Sequence, residues 1–181
     1  MSEVIDRITS IIGGFDARVQ AAPADSWDNA SPCADWAARD VVSHVAGNLL
    51  NLAGVMSDSQ LPPAADGEAP DALWGRARDA FLGSIGSADL TKTAPGPMGP
   101  MPLEQLIGRL VATDTLVHTW DLARATGGDE QLPEDYVAGA YSGLKPMDAM
   151  IRRPGVFGAK VASADGASLQ AEFLNFLGRD V

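Results

Sequence analysis

The residues best suited to chemistry in this sequence are its two histidines, His44 and His118. His118 lies four positions after Asp114 and three before Asp121. Residues three and four apart share one face of a helix, with Cβ atoms about 5–6 Å apart. An imidazole and a carboxylate one turn apart can bind the same metal ion. The spacing therefore predicts that Asp114 and His118 hold a divalent cation.

A third ligand must come from another part of the chain, and His44 is the other histidine. All three candidate ligands lie on or beside apolar helical stripes, where an unpaired charge costs on the order of several kcal/mol. A histidine on an apolar face is more often a core residue that has found a hydrogen-bond partner. The combination nevertheless favours His44, Asp114 and His118 as a metal site between two helices.

Two imidazoles and one carboxylate leave at least one coordination position open. This suits a catalytic zinc ion better than a structural one, because structural sites usually close with four protein ligands. The same ligand set binds Fe(II) in oxygenases, and nickel or manganese are compatible with it. Zn²⁺ is the expected metal, with Ni²⁺, Fe²⁺ and Mn²⁺ as alternatives.

Other polar residues near these positions have several interpretations. Asp121 is the candidate catalytic residue, as a general base, but it can also be a metal ligand, an acceptor that fixes an imidazole tautomer, or a partner of Arg124. Asn48 and Asn51, one and two turns beyond the first histidine, either orient a ligand or face water. Of the two, Asn48 is the candidate cofactor-binding residue.

Cys33 is the sole cysteine, so an internal disulfide and an all-cysteine metal site are excluded. Near a helix start its thiol can become nucleophilic, although free cysteines are more often inert and buried. Trp36 and Trp120 can line a pocket beside a metal, but core packing is their commoner role. Gly127 and Gly128 follow a helix, which indicates a helix stop rather than a phosphate-binding loop.

The hydrophobic period predicts the helices that must position these residues. We expect helices over 4–19, 37–56 with Asp35 as N-cap, 71–86 capped by Asp71, 102–126 opening on Pro102, 133–150 broken at Pro146, and 168–177. The stretch TKTAPGPMGPMP predicts a stiff linker, and no segment alternates like a strand. The expected fold is all-α, an antiparallel four-helix bundle with long crossover loops and a short C-terminal helical extension.

Bulk properties predict one domain spanning 1–181, since a chain of 181 residues with 46% hydrophobic residues can bury a single core. Its formal net charge of -11 would repel nucleic acid and anionic lipid. No apolar stretch approaches the roughly 20 residues that span a bilayer, and the acidic N-terminus is unlike a secretory signal. We expect a cytoplasmic protein, and a homodimer is compatible with the sequence.

Two motifs, SPCADWAARDVVSHVAGN and DTLVHTWDLARATG, resemble signatures of the DinB-like metalloprotein superfamily. They are most similar to its actinobacterial branch, which includes mycothiol-dependent maleylpyruvate isomerase, and the ending LNFLGRDV resembles a tail of small members. The resemblance implies an up-and-down four-helix bundle with a divalent ion, usually zinc, on His44, Asp114 and His118. Asp114 stands where the isomerase has Glu.

The resemblance also implies thiol chemistry, in which the open metal position receives the sulfur of mycothiol or a similar small thiol. The expected function is a thiol-dependent transferase or isomerase that delivers this sulfur to a small electrophile, with Asp121 as the acid-base group or as a partner of a ligand. We expect this chain to do without the separate C-terminal domain of the isomerase, so isomerisation of maleylpyruvate is not carried over. A non-catalytic metal- or ligand-binding module for sensing or storage is the alternative, and an Fe(II) oxygenase comes third.

Overall fold

The computed structural model describes residues 3–96, 99–152 and 157–181, and it is predominantly helical. Its α-helices are α1 (Glu3–Ala21), α2 (Ala38–Ser57), α3 (Pro70–Ile85), α4 (Leu103–Gln105), α5 (Ala112–Thr126), α6 (Glu134–Leu144), α7 (Asp148–Ile151) and α8 (Leu169–Phe176). A π-helical segment (Leu106–Val111) joins α4 to α5, and a 3₁₀ turn (Lys145–Met147) joins α6 to α7. The predicted all-α class is confirmed.

Four of the described helices pack in a ring. Helix α1 packs against α3 and α5, and α2 packs against the same two helices. The segments 22–37 and 86–102 therefore connect helices that are not principal neighbours, which accounts for their length. This arrangement places α2 and α5, the two helices with the candidate ligands, side by side.

Large apolar side chains hold the ring together. Trp74 of α3 is fully buried, and its ring centroid lies 4.6 Å from that of Phe15 on α1. The indole N–H of Trp74 donates a hydrogen bond of 2.7 Å to Asp16 Oδ1, so its polar edge is satisfied. Burial of a large apolar side chain contributes about 1.5–3 kcal/mol, so these rings help to stabilise the packing of the four helices.

The start of α2 differs from the prediction. Asp35 is not its N-cap, because the helix begins at Ala38 and Ala37 is the preceding residue. The amide of Ala37 donates to Asp40 Oδ2 at 2.8 Å, and Asp35 instead adopts a left-handed backbone with φ 64°. The amide of Ala38 is bound by the carbonyl of Asn29, so contacts within the preceding loop decide where the helix begins.

The other predicted helix starts are displaced by one or two residues. Pro70 rather than Asp71 opens α3, with Ala69 as its cap, and Asp71 lies in the first turn. Pro102 precedes α4 instead of opening it. The predicted stop after α5 is correct, since Gly127 has φ 70° and its amide bonds to the carbonyl of Ala123.

The predicted linker contains a short β-ladder, which the sequence did not indicate. Strand β1 (Thr93–Ala94) pairs antiparallel with β2 (Met101–Pro102). The amides of Gly96 and Gly99 donate to each other's carbonyls at 3.2 and 3.1 Å. Glycine amides thus supply donors that the neighbouring prolines lack. None of the helices in the described ranges is long and apolar enough to cross a membrane.

We predict that Phe81→Ala lowers the free energy of unfolding by about 3–5 kcal/mol, because Phe81 is fully buried on α3 and its removal leaves a cavity. Urea unfolding followed by circular dichroism measures the loss. Val181→Ala is the control, since Val181 is 50% exposed and its truncation should change stability by less than about 0.5 kcal/mol. Equal effects for the two variants would contradict the placement of α3.

Candidate metal centre

The packing of α2 against α5 brings the three candidate ligands together. His44 projects from α2, and Asp114 and His118 project from α5 one turn apart. One donor atom from each lies within 4.8 Å of the others. The predicted set of two imidazoles and one carboxylate therefore forms a single cluster.

The distances within this cluster suit a small divalent ion. Nε2 of His44 lies 3.2 Å from both carboxylate oxygens of Asp114, and Nε2 of His118 lies 3.4 Å from Asp114 Oδ1. Zinc–ligand bonds of about 2.0–2.1 Å in a tetrahedral site place neighbouring donor atoms roughly 3.3 Å apart. The donor types and the separations from Asp114 fit a small divalent ion such as zinc.

One side of the cluster faces solvent and the other faces the core. The side chains of His44 and Asp114 are 33% and 32% exposed, while that of His118 is 10% exposed. Asp114 and Asn48 also line a cavity of about 340 Å³. A small molecule in this cavity can thus reach the cluster from the side of Asp114.

Trp36 lies against both histidines. Its ring centroid is 5.0 Å from that of His44 and 5.7 Å from that of His118, nearly parallel to the latter with an interplanar angle of 24°. Trp120, by contrast, is buried in the core with the guanidinium of Arg124 over its ring. Of the two tryptophans considered from the sequence, only Trp36 contacts the cluster.

Asn48 contacts the cluster directly. Its amide donates to Asp114 Oδ2 at 3.1 Å and lies 3.2 Å from His44 Nε2. Asn51 is exposed and lines the neighbouring cavity. Asn48 therefore holds the carboxylate of Asp114, and a role in binding a cofactor directly stays a prediction.

Asp121 lies on the opposite side of His118 from the cluster. Its side chain is fully buried, and its Oδ2 accepts a hydrogen bond of 2.9 Å from His118 Nδ1. Of the roles considered from the sequence, this geometry matches the acceptor that fixes an imidazole tautomer. Arg124, the partner considered for Asp121, instead binds Glu130 at 2.6 and 2.8 Å.

Two residues that sequence reasoning did not connect with the site also contact Asp121. Arg179, in the C-terminal tail, donates from Nη2 to Oδ2 at 2.7 Å and from Nε to Oδ1 at 3.1 Å. The thiol of Cys33 donates to the same Oδ2 at 3.3 Å. The tail motif LNFLGRDV contains Arg179 and resembles the tail of small family members, but its spacing did not indicate that Arg179 pairs with Asp121.

Comparison with known proteins gives a family and two relatives. The family described as mycothiol maleylpyruvate isomerase N-terminal domain matches residues 9–123. Rv0738 of Mycobacterium tuberculosis strain H37Rv and MT0763 of strain CDC 1551, both described as uncharacterized proteins, are each 32% identical to this chain. Each similarity extends over 148 residues, 78% of this chain and 78% of the relative. No solved structure matches.

Burial and hydrogen bonding oppose each other in the ionisation of the site. Burial would lower the pKa of His118, but its bonds with Asp114, Asp121 and Cys33 raise that pKa well above its usual value. Burial likewise would raise the pKa values of Asp114 and Asp121. Hydrogen bonds from His118 and His44 hold the pKa of Asp114 below the ordinary range of a carboxyl group. Hydrogen bonds from His118 and Arg179 do the same for the pKa of Asp121. Without a metal, an imidazolium therefore lies between two carboxylates.

We predict a pH-dependent stability for the metal-free chain. Because the folded pKa of His118 is raised, its contribution is complete below the unfolded pKa of about 6.5 and is lost as pH rises through the folded value. The wild-type advantage over His118→Gln in free energy of unfolding should fall above pH 6.5, by about 1.4 kcal/mol for each pKa unit separating the two states.

Urea unfolding of chelator-treated protein across the pH range measures this advantage. The depressed pKa values of Asp114 and Asp121 act in the opposite sense, since their contribution is present above about pH 4 and is lost as pH falls. An advantage that grows with pH above 6.5 would contradict a protonated His118.

Proposed function

The chain belongs to the mycothiol maleylpyruvate isomerase N-terminal domain family, as its two motifs predicted, and from this premise we propose a metal-dependent thiol transferase or isomerase. In this proposal the protein activates mycothiol or a similar small thiol and joins its sulfur to a small electrophile. The observation that carries the proposal is the convergence of His44, Asp114 and His118 with one side open to a cavity.

His44, Asp114 and His118 are the residues that would hold the metal, and we propose zinc. A bound zinc ion lowers the pKa of a coordinated thiol and so supplies a reactive thiolate at neutral pH. The side chain of Asp114 is one methylene shorter than that of the Glu in the isomerase, and in the proposed site the hydrogen bond from the Asn48 amide would hold its carboxylate in place.

Other side chains of the site would orient the ligands and exclude water. Asp121 accepts from Nδ1 of His118, which leaves Nε2 directed towards Asp114. Trp36 stacks on the imidazole of His118 and packs at a tilt against that of His44, so it would limit the access of water to His118. We propose Asp121 as an orienting residue rather than as the general base, because its side chain has no exposed surface from which to reach a substrate.

The cavity beside Asp114 is where we place the electrophile. Its volume is about 340 Å³, and polar Asn48 and Asn51 face apolar side chains that include Leu106 and Val111 of the π-helical segment. Short π-helical turns inside helices occur frequently at functional sites. The proposed reaction breaks the S–H bond of the thiol, releases its proton to solvent and forms an S–C bond to the electrophilic carbon. At a carbon that bears a leaving group, such as the halide of an activated aryl halide, the bond to that group breaks and it departs as the anion. At an activated double bond, the π bond breaks and the neighbouring carbon takes up a proton.

A closed, non-catalytic metal centre has less support. A structural zinc site normally has four protein ligands, and Asp121 was the candidate fourth. Asp121 contacts the other nitrogen of His118 and is occupied by Arg179. Within the described ranges, Cys33, His118 and Asp121 form a second group of potential metal ligands. Arg179 contacts both Cys33 and Asp121, and its positive charge disfavours a metal ion there.

We predict that the purified protein binds one zinc ion per chain. Each of the substitutions His44→Ala, Asp114→Ala and His118→Ala should weaken zinc binding by more than about 100-fold. Loss of a residue that only hydrogen-bonds to a ligand typically costs about 10–100-fold, and loss of a ligand itself should cost more. Elemental analysis and competition with a chromophoric chelator provide the measurement. Asn51→Ala is the control and should retain zinc. A wild-type chain without affinity for divalent ions would rule out the metal site.

We predict that mycothiol binds at the metal. Cobalt-substituted protein should develop a sulfur-to-cobalt charge-transfer band as the thiol is added, and His118→Ala should not. Transfer of the sulfur to an activated aryl halide, followed by absorbance of the thioether product, tests turnover. A cobalt spectrum unchanged by saturating thiol would contradict thiol activation while leaving metal binding intact.

A further inference from the structure

The C-terminal tail folds back onto the core of the site. Beyond α8, the guanidinium of Arg179 contacts both oxygens of Asp121, at 2.7 and 3.1 Å. The two residues are 58 positions apart, and their side chains are 10% and 0% exposed. The pair is therefore a buried tertiary contact between the tail and the helix that carries two candidate metal ligands.

The backbone of the tail is shaped to deliver this arginine. Gly178 has φ 87°, and a Cβ at this position would lie 2.8 Å from the carbonyl oxygen of Ala159. The turn is closed by hydrogen bonds from the Arg179 amide to the Leu174 carbonyl and from the Asn175 side chain to the Arg179 carbonyl. A residue other than glycine would displace the turn, and Arg179 with it.

Stability alone is a weak explanation for this pair. A buried ion pair gains little over an apolar pair of the same volume, because both charges lose their hydration. A two-point contact from a planar guanidinium does fix the orientation of a carboxylate. The carboxylate fixed here is the one that accepts from His118 Nδ1 at 2.9 Å.

We propose that Arg179 is a positioning residue for the metal ligand His118. By holding both oxygens of Asp121, it fixes the acceptor of the Nδ1 hydrogen bond and so keeps Nε2 of His118 directed at Asp114. The tail thus raises the metal affinity of the cluster through Asp121. This inference rests on the proposed function in one respect, that the cluster binds a metal.

The test compares zinc affinities of folded variants by chelator competition. Arg179→Gln should bind zinc about tenfold more weakly, within the range typical of outer partners, and Arg179→Lys should recover part of the loss. In an Asp121→Asn background, Arg179→Gln should have no further effect if it acts through Asp121. Arg18→Gln is the matched control, because Arg18 is 14% exposed and pairs with Asp129 away from the site.

A second measurement does not require metal. In the metal-free wild type, the Nδ1 proton of His118, assigned with His118→Gln, should give a downfield NMR signal protected from exchange. That signal should broaden or disappear in Arg179→Gln. Gly178→Ala should reproduce both effects while keeping every charged group, which provides a test if Arg179→Gln does not fold.

The outcomes separate this inference from the proposed function. Wild-type affinity together with a retained proton signal in Arg179→Gln and Gly178→Ala would overturn the role of Arg179 and leave the metal site intact. A wild type that binds no metal would remove the proposed function, and the NMR comparison would still decide whether Arg179 positions His118. An equal loss of zinc affinity in Arg18→Gln would show that the effect reflects general destabilisation of the fold, and this too would overturn the proposal.

Discussion

The imidazole of His118 is held between two carboxylates, and the rest of the site is arranged around that contact. Asp114 lies at Nε2 and Asp121 at Nδ1, on opposite edges of one nearly buried ring. Two negative charges in this position would repel each other and lose hydration, so each needs a second cation or donor. His44 and Asn48 meet this need for Asp114, while Arg179 and Cys33 meet it for Asp121.

The same contact explains how the two ends of the ring can differ in role. On the Nε2 side, Asp114 is partly exposed and lines a cavity, so a cation that replaces the proton can also bind a ligand from solvent. The Nδ1 side is closed by Asp121 and the tail, and the hydrogen bond from Nδ1 to Asp121 Oδ2 favours one orientation of the ring. An asymmetric imidazole of this kind is the usual state of a histidine that binds metal.

The family match covers the ligands but not the tail. It extends over residues 9–123, which include His44, Asp114, His118 and Asp121, whereas Arg179 lies beyond it. The cluster forms within the ring of helices, through the direct contact of α2 with α5. The tail adds a separate contact from outside that ring, and its glycine turn gives the contact a defined geometry.

Helical periodicity was sufficient to predict the all-α class and to place Asp114, His118 and Asp121 on one face, because neighbours along a helix have fixed separations. The π-helical segment went unpredicted, but it ends before Asp114 and leaves that spacing unchanged. Helix starts such as that of α2 were misplaced, since loop contacts decided them. His44 was placed with Asp114 and His118 by the histidine count and the family resemblance, whereas the stacking of Trp36 and the pairing of Arg179 with Asp121 over 58 positions came from the tertiary structure. Residue spacing constrains contacts within one helix, whereas contacts between distant segments depend on how the helices and the tail pack.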